Sequence, residues 1–346
     1  MLVTFDSVPS SLPLIPKEML SIIQTPEGQT RVRVNFSSLS LMQECWRKAE
    51  YSLIEKLKLN IESPATLFGS AIHKALEVFY EGSRKEREIP SEFESIMKMI
   101  GSGVWEESWG GSLIFRSARA FMVKAEALNH LPNDDKRSPQ TGVWVLQNYF
   151  QTYKDDPYVV LRINDKPLVE EKFTLPIFDT EELHIEIFGQ IDLVLKNEDT
   201  GVILPSDHKT SSRLDDSFYR RVKPNHQFTF YTWGCNDVLN LKTDAFLVNA
   251  LEVKPPPKTS RGSPPKFLRQ VTTRTRDDFD ELKKVIITTV RTFLELKEEG
   301  FFPMTSPGPC ANYSGCQYLS ICEVPNSLKQ NVIEAKYKKD NYGETE

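Results

Sequence analysis

Phe188-Gly-Gln-Ile-Asp192-Leu-Val-Leu195, a short connector, then Val202-Ile-Leu-Pro-Ser-Asp207-His-Lys209-Thr210: this stretch decides how the chain is read. Two apolar segments of strand character flank Lys196-Asn-Glu-Asp-Thr-Gly201, a polar run ending in glycine, so together they read as a β-hairpin. Each segment carries one carboxylate in an otherwise apolar setting, Asp192 in the first and Asp207 in the second. Residues two apart on a strand face the same side, which places Asp207 and Lys209 together. Two carboxylates drawn close repel each other unless a cation neutralises them or one takes a proton, so the pair implies either Mg²⁺ or a raised pKa. An ammonium beside them suits the orientation or deprotonation of water attacking a phosphodiester. Taken alone, the segment also fits a hairpin with solvated charges at its strand ends.

The rest of the chain shifts that balance. Ser37-Ser-Leu-Ser-Leu-Met-Gln-Glu-Cys45-Trp-Arg-Lys-Ala-Glu-Tyr51, Gly69-Ser-Ala-Ile-His73-Lys-Ala-Leu-Glu77, the two acid segments, and Gln227-Phe-Thr-Phe-Tyr231 follow in that order. This ordered set resembles the PD-(D/E)XK nuclease superfamily, in its RecB/AddB-like branch of CRISPR-associated and phage exonuclease type, over roughly residues 37 to 322. The resemblance implies an α/β fold: a small mixed β-sheet nuclease core flanked by helices, with a helical lobe and a C-terminal cysteine-bound cap. It implies catalytic roles for Asp192, Asp207, Lys209, Gln227 and Tyr231, and metal ligation by His73, Asp192 and Asp207. An acid near the first strand pair joins them: Glu170 and Glu171 both stand there, the sequence does not say which points inward, and Glu171 is taken. Without the resemblance, a lone helical histidine is more often a packed or surface residue. An imidazole among the ligands makes Mn²⁺ as good a match as Mg²⁺. The expected activity is a metal-dependent deoxyribonuclease, acting as an exonuclease on single-stranded DNA in recombination, repair or CRISPR-type processing. A catalytically silent DNA-binding protein and a zinc-stapled RNA-processing nuclease are the rivals.

Cys310, Cys316 and Cys322 lie within thirteen residues, Cys45 is far upstream, and Cys235 stands alone in the Gln-Tyr segment. In a reducing compartment such thiols are free or bind metal. AddB-like relatives hold a [4Fe–4S] cluster with one N-terminal and three C-terminal cysteines, which implies Cys45, Cys310, Cys316 and Cys322 here. The five residues between Cys310 and Cys316, where those relatives have two, and Trp46 in place of their proline keep structural Zn²⁺ open.

Composition is that of a globular chain, 39% hydrophobic and 26% charged, with no membrane-length apolar run and no signal-like N-terminus, so a cytoplasmic location is expected. The net charge of −5 is uneven. Residues 205–276 carry 13 Lys and Arg against 6 Asp and Glu, an excess of seven, which leaves −12 on the remainder. Such clustering arises by chance on solvated faces. Beside Asp207 and Lys209 it reads as a basic track for nucleic acid, with Arg213, Arg220, Arg221 and Lys223 as contacts.

Patterning divides the chain into an extended arm (1–36), a helical region with Cys45 and His73 (37–165), the nuclease core (166–300), the cysteine segment (301–325) and a loosely attached tail (326–346). Helices are expected over 37–59, 65–80, 226–241 and 277–300, with several more in 91–153. Strands are expected at 31–35, 168–178, 183–195, 202–207, 245–253 and 267–275, and a mobile Pro-rich loop at 254–266.

Overall fold

The computed structural model describes residues 19–60, 63–130, 136–259, 262–311 and 315–339. The first half of the expected arm, two residues of the Pro-rich loop and the last seven of the tail lie outside them. The class is mixed α/β, a central mixed sheet flanked by helices. The chain divides into two compact units. One comprises residues 61–175 and 188–285, and the other residues 1–60, 176–187 and 286–346.

The larger unit holds the acid hairpin. The second half of strand Leu183–Asn197 pairs antiparallel with Ile203–Ser211, in a register of Leu193 opposite Ser206 and Leu195 opposite Leu204. One step further along this register, Asp192 comes beside Asp207. The connector closes because Asn197 Oδ1 accepts from the amides of Asp199 and Thr200, and Gly201 takes φ +75°. Ile203–Ser211 then pairs in parallel with Ala245–Glu252, which pairs antiparallel with Phe267–Thr273. Ala245–Leu251 is buried at every residue, as its unbroken apolar run requires of a central strand.

Helix Pro64–Glu81 starts on a proline, whose missing N–H has no partner there to lose, and gives way at Gly82. Phe68, Ala71, Ile72, Ala75, Leu76, Phe79 and Tyr80 form its buried stripe at three- and four-residue intervals. Each large side chain so buried stabilises the fold by roughly 1.5–3 kcal/mol. The stripe packs with helices Leu113–Ala125 and Pro139–Tyr153 into the main core. The opposite face is left for His73 and Glu77.

Behind this core runs a buried polar network. Arg269 donates two hydrogen bonds of 2.7 Å to the two oxygens of Asp156 and a further one to the Tyr80 hydroxyl. The hydroxyls of Tyr80 and Tyr149 lie 2.6 Å apart, Asn249 Nδ2 donates to Tyr149, and the same Nδ2 lies 2.8 Å from His208 Nδ1. The Arg269 guanidinium also sits 3.8 Å from the centroid of the Tyr153 ring. Helices, sheet and loop of this unit are thereby tied through one ion pair.

In the smaller unit, Leu20–Gln24 pairs antiparallel with Thr30–Val34, which pairs in parallel with Leu183–Ile187. The helix expected over 37–59 is broken. Helix Phe36–Glu44, capped by Asn35 and Ser38, stops at Cys45, whose backbone is extended. Helix Trp46–Ala49 and a π-helical turn Glu50–Ile54 follow, and Leu57–Leu59 is a strand. In the stretch read as a loose tail, helix Asn326–Lys336 leads into Tyr337–Lys339, which pairs antiparallel with Leu57–Leu59. Tyr337 is buried and stacks on Tyr318 at 5.8 Å, contacts that a charged sequence does not advertise.

Asp156→Ala leaves the Arg269 charge buried without its partner, and is expected to cost about 3–5 kcal/mol in urea unfolding. A loss below about 1 kcal/mol would show that solvent reaches the guanidinium.

Candidate active site

His73, Asp192 and Asp207 converge. One ligand atom from each lies within 4.8 Å of the other two, the one such group of His, Cys, Asp and Glu among the described residues. His73 Nδ1 is 3.0 Å from Asp192 Oδ2, and Lys209 Nζ is 2.5 Å from Asp207 Oδ2. The i, i+2 spacing on one strand has put Asp207 and Lys209 on one face, while His208 between them points into the buried network. Lys209 Nζ also donates to Gln227 Oε1 at 3.0 Å, and Gln227 is hydrogen-bonded in turn to the Tyr231 hydroxyl. These two lie four apart on helix His226–Asp237, whose N-terminus is capped by Asn225. The lysine is thus held from both sides.

Burial alone would raise both acids. At Asp192, the hydrogen bond and charge of His73 outweigh it and hold the carboxyl well below the usual range. At Asp207, burial and the neighbouring Asp192 prevail over Lys209 and push it up to about 7. The hairpin therefore forces two carboxylates together, of which one ionises readily and the other resists. His73 is raised: burial opposes its charge, but the bond to Asp192 and the charges of both acids overcome that. Burial, eased only in part by the Gln227 bond, lifts the Tyr231 phenol well above its normal value, so it stays protonated and able to donate.

Oδ2 of each aspartate is buried, with His73 set against that of Asp192 and Lys209 against that of Asp207. Oxygen lone pairs left open beside an imidazole fit a hard divalent cation.

The two adjacent acids Glu170 and Glu171 have different neighbours. Glu171 lies 3.1 Å from Lys166 Nζ, whereas Glu170 is the neighbour that feels Asp192, Glu77 and His73. Partial desolvation, then the charges of Asp192 and Glu77, raise the Glu170 carboxyl, which is hydrogen-bonded by Gln190. Glu170 adopts φ +50°, a left-handed backbone uncommon for a non-glycine. No strand alternation could have revealed it. His208 was also passed over. It is buried, stacked on Tyr80 at 5.7 Å and edge-on to His73 at 5.7 Å. Burial drives its pKa to about 3, so it is neutral. The available signal was a polar residue inside each of two apolar strands, His208 and Asn249.

The basic track is thinner than its composition suggests. Arg269 and Arg274 are internal, the latter bonded to Thr229, Thr272 and the carbonyls of Val222 and Asn225. Lys223 donates to the Thr273 carbonyl at 2.7 Å and lies 3.4 Å from Asp278, and Arg213 lies 3.9 Å from Asp215. Arg220 and Arg221 end the short helix Asp216–Arg220 and its cap.

In the smaller unit the cysteines gather. Burial raises the Cys322 thiol, Arg47 opposes it, and Cys316, Cys45 and Cys310 each push it further up. Tyr51 is hydrogen-bonded to Cys322, and burial first, then this thiol, pushes its phenol up to about 12. Backbone ties bring the distant segments together: the Arg47 amide donates to the Pro303 carbonyl at 3.2 Å, and Tyr318 donates to the Leu57 carbonyl at 2.7 Å. Cys235 lies in the larger unit, buried and raised to about 12 by burial alone.

A paired acid centre with one imidazole and a tethered ammonium is chemistry for phosphate-ester hydrolysis assisted by a divalent cation. The chain belongs to the PD-(D/E)XK nuclease superfamily, whose family model matches residues 33–323. Membership implies metal-dependent nuclease activity with ions such as Mg²⁺ or Mn²⁺. No curated protein matches the chain. Among the described residues no helix is long and apolar enough to cross a membrane.

Because Asp207 holds a proton up to about pH 7, a cation must displace it. Mn²⁺ affinity measured by calorimetry is therefore expected to be about tenfold weaker at pH 6 than at pH 8, with a proton released on binding. A flat profile from pH 6 to 8 would show that Asp207 is ionised without metal.

Proposed function

We propose that the chain is a deoxyribonuclease of the RecB/AddB-like type, acting as an exonuclease on single-stranded ends in phage or prokaryotic recombination, repair or CRISPR-type processing. The observation that carries this reading is the linked row Asp192, Asp207, Lys209, Gln227 and Tyr231 beside His73, with every residue type the chemistry needs intact. His73, Asp192 and Asp207 would hold Mg²⁺ or Mn²⁺, with Glu170 nearest to complete the set. The bound cation would polarise the phosphate and lower the pKa of a water. Lys209 stands where it can orient that water or meet charge growing on the phosphate. Gln227 fixes the Nζ, and Tyr231, kept protonated, fixes Gln227.

Cys45, Cys310, Cys316 and Cys322 would hold a [4Fe–4S] cluster joining the early and late segments of the smaller unit. Their mutual influence on Cys322 supports a shared site, and Cys235 stands outside it. No three of these sulfurs lie within 4.8 Å of one another, a looser set than the spacing of about 3.8 Å that tetrahedral zinc with Zn–S near 2.3 Å demands. Structural Zn²⁺ is the alternative that the same thiols could serve.

Lys209→Ala and Asp207→Ala should each lower Mn²⁺-dependent cleavage of end-labelled single-stranded DNA by about a hundredfold to ten-thousandfold, with circular dichroism unchanged. A folded Lys209→Ala protein that cuts at the parent rate would sink the mechanism. Protein purified without oxygen should be brown, carrying about four irons and four sulfides per chain. Cys322→Ser should bleach it and lower its melting temperature, while Cys235→Ser should not bleach it. One zinc per colourless, active chain would refute the cluster.

A further inference from the structure

Beside the His73 end of the site lies a cavity of about 940 Å³, walled on one side by helix Pro64–Glu81 and on the other by helix Leu113–Ala125. Its volume is at the upper end of the roughly 300–1,000 Å³ typical of ligand sites. Small residues line both helices where they face it: Gly69 and Ser70 on one, Ala120 on the other. Cations follow the second wall: Arg116, Arg119 and Lys124 recur at three- to five-residue intervals along one helix face, all exposed. The lining acids, Glu77 and Glu170, sit instead at the metal end beside His73.

The two arginines are held in place. Arg116 donates to the carbonyls of Gly110 and Gly111, and the Arg119 guanidinium lies 4.5 Å from the centroid of the Trp105 ring. Arg119 also lies 3.8 Å from Glu107, an exposed pair, and a guanidinium has five N–H donors, so these anchors leave donors for a phosphate. Val123, 66% exposed on the same wall, offers apolar surface for a sugar or base.

We propose that this groove is the path of the substrate: one strand of a polynucleotide lies between the two helices, its phosphates on Arg116, Arg119 and Lys124, and passes His73 to reach the acid pair. The inference rests on the nuclease reading and names its entry. A cation-lined groove that tracks the backbone is how single strands are held without sequence preference.

The test is binding of a fluorescent 20-nucleotide oligothymidine in Ca²⁺ across a salt series, monitored by anisotropy. Combining Arg116→Ala, Arg119→Ala and Lys124→Ala should raise Kd at least tenfold and reduce the log–log salt slope by about 2, the loss of three phosphate contacts on a single strand. Thr66→Glu with Lys124→Glu, two exposed positions lining the groove, should weaken binding likewise and covers the case in which the triple variant does not fold. Combined Arg220→Ala, Arg221→Ala and Lys223→Ala should weaken it less. Parental affinity in both groove variants, or a larger loss from the last set, overturns the path. A parent that binds but never cuts with Mn²⁺ would overturn the nuclease reading and leave the groove standing; one that binds no oligonucleotide would overturn the groove.

Discussion

Placing two carboxylates side by side on neighbouring strands is the constraint from which the rest of the larger unit follows. The hairpin register leaves Asp192 and Asp207 adjacent, and burial makes their joint ionisation costly. Everything around them moderates that cost: His73 against Asp192, Lys209 against Asp207, and open oxygen lone pairs where a cation would complete the balance. The same arrangement is what a phosphodiester hydrolase needs, because a site short of positive charge recruits a metal that can also activate water.

Such a site works only if its backbone does not yield to the repulsion. The network from His208 through Asn249, Tyr149 and Tyr80 to the Asp156–Arg269 pair lies on the far side of the lysine strand. It uses polar side chains in a core where apolar ones would pack as well, and every link fixes an orientation. His208, kept neutral by burial, accepts from Asn249 and adds no charge behind the acids. Rigid support behind a strained front is the division of labour within this unit.

The smaller unit has a different logic. Its early and late chain segments are joined by backbone bonds and by the contact of Tyr51 with Tyr318, and Cys45, Cys310 and Cys316 all act on Cys322. The helix that would have run from residue 37 to 59 is interrupted at Cys45, which places that sulfur at a helix junction instead of along a helix face. The interruption is where a local preference for helix gives way to a long-range requirement.

The sequence by itself determined the mixed α/β class, the acid hairpin, the shared face of Asp207 and Lys209, the Gln227–Tyr231 helix face and the separateness of Cys235. Each follows from periodicities of 2 or 3.6 residues, or from turn chemistry, which are local properties. Tertiary structure alone decided the remainder. Glu170 feels Asp192, Glu77 and His73 from a left-handed backbone, which alternation does not encode. Arg269 and Arg274, counted as surface charge, became internal because Asp156 and a set of carbonyls and hydroxyls wait for them from distant parts of the chain. The last helix and strand are ordered because Leu57–Leu59 offers a free edge, a pairing across nearly the whole length of the sequence. Local chemistry chooses the elements; which charges end up facing one another depends on how those elements pack.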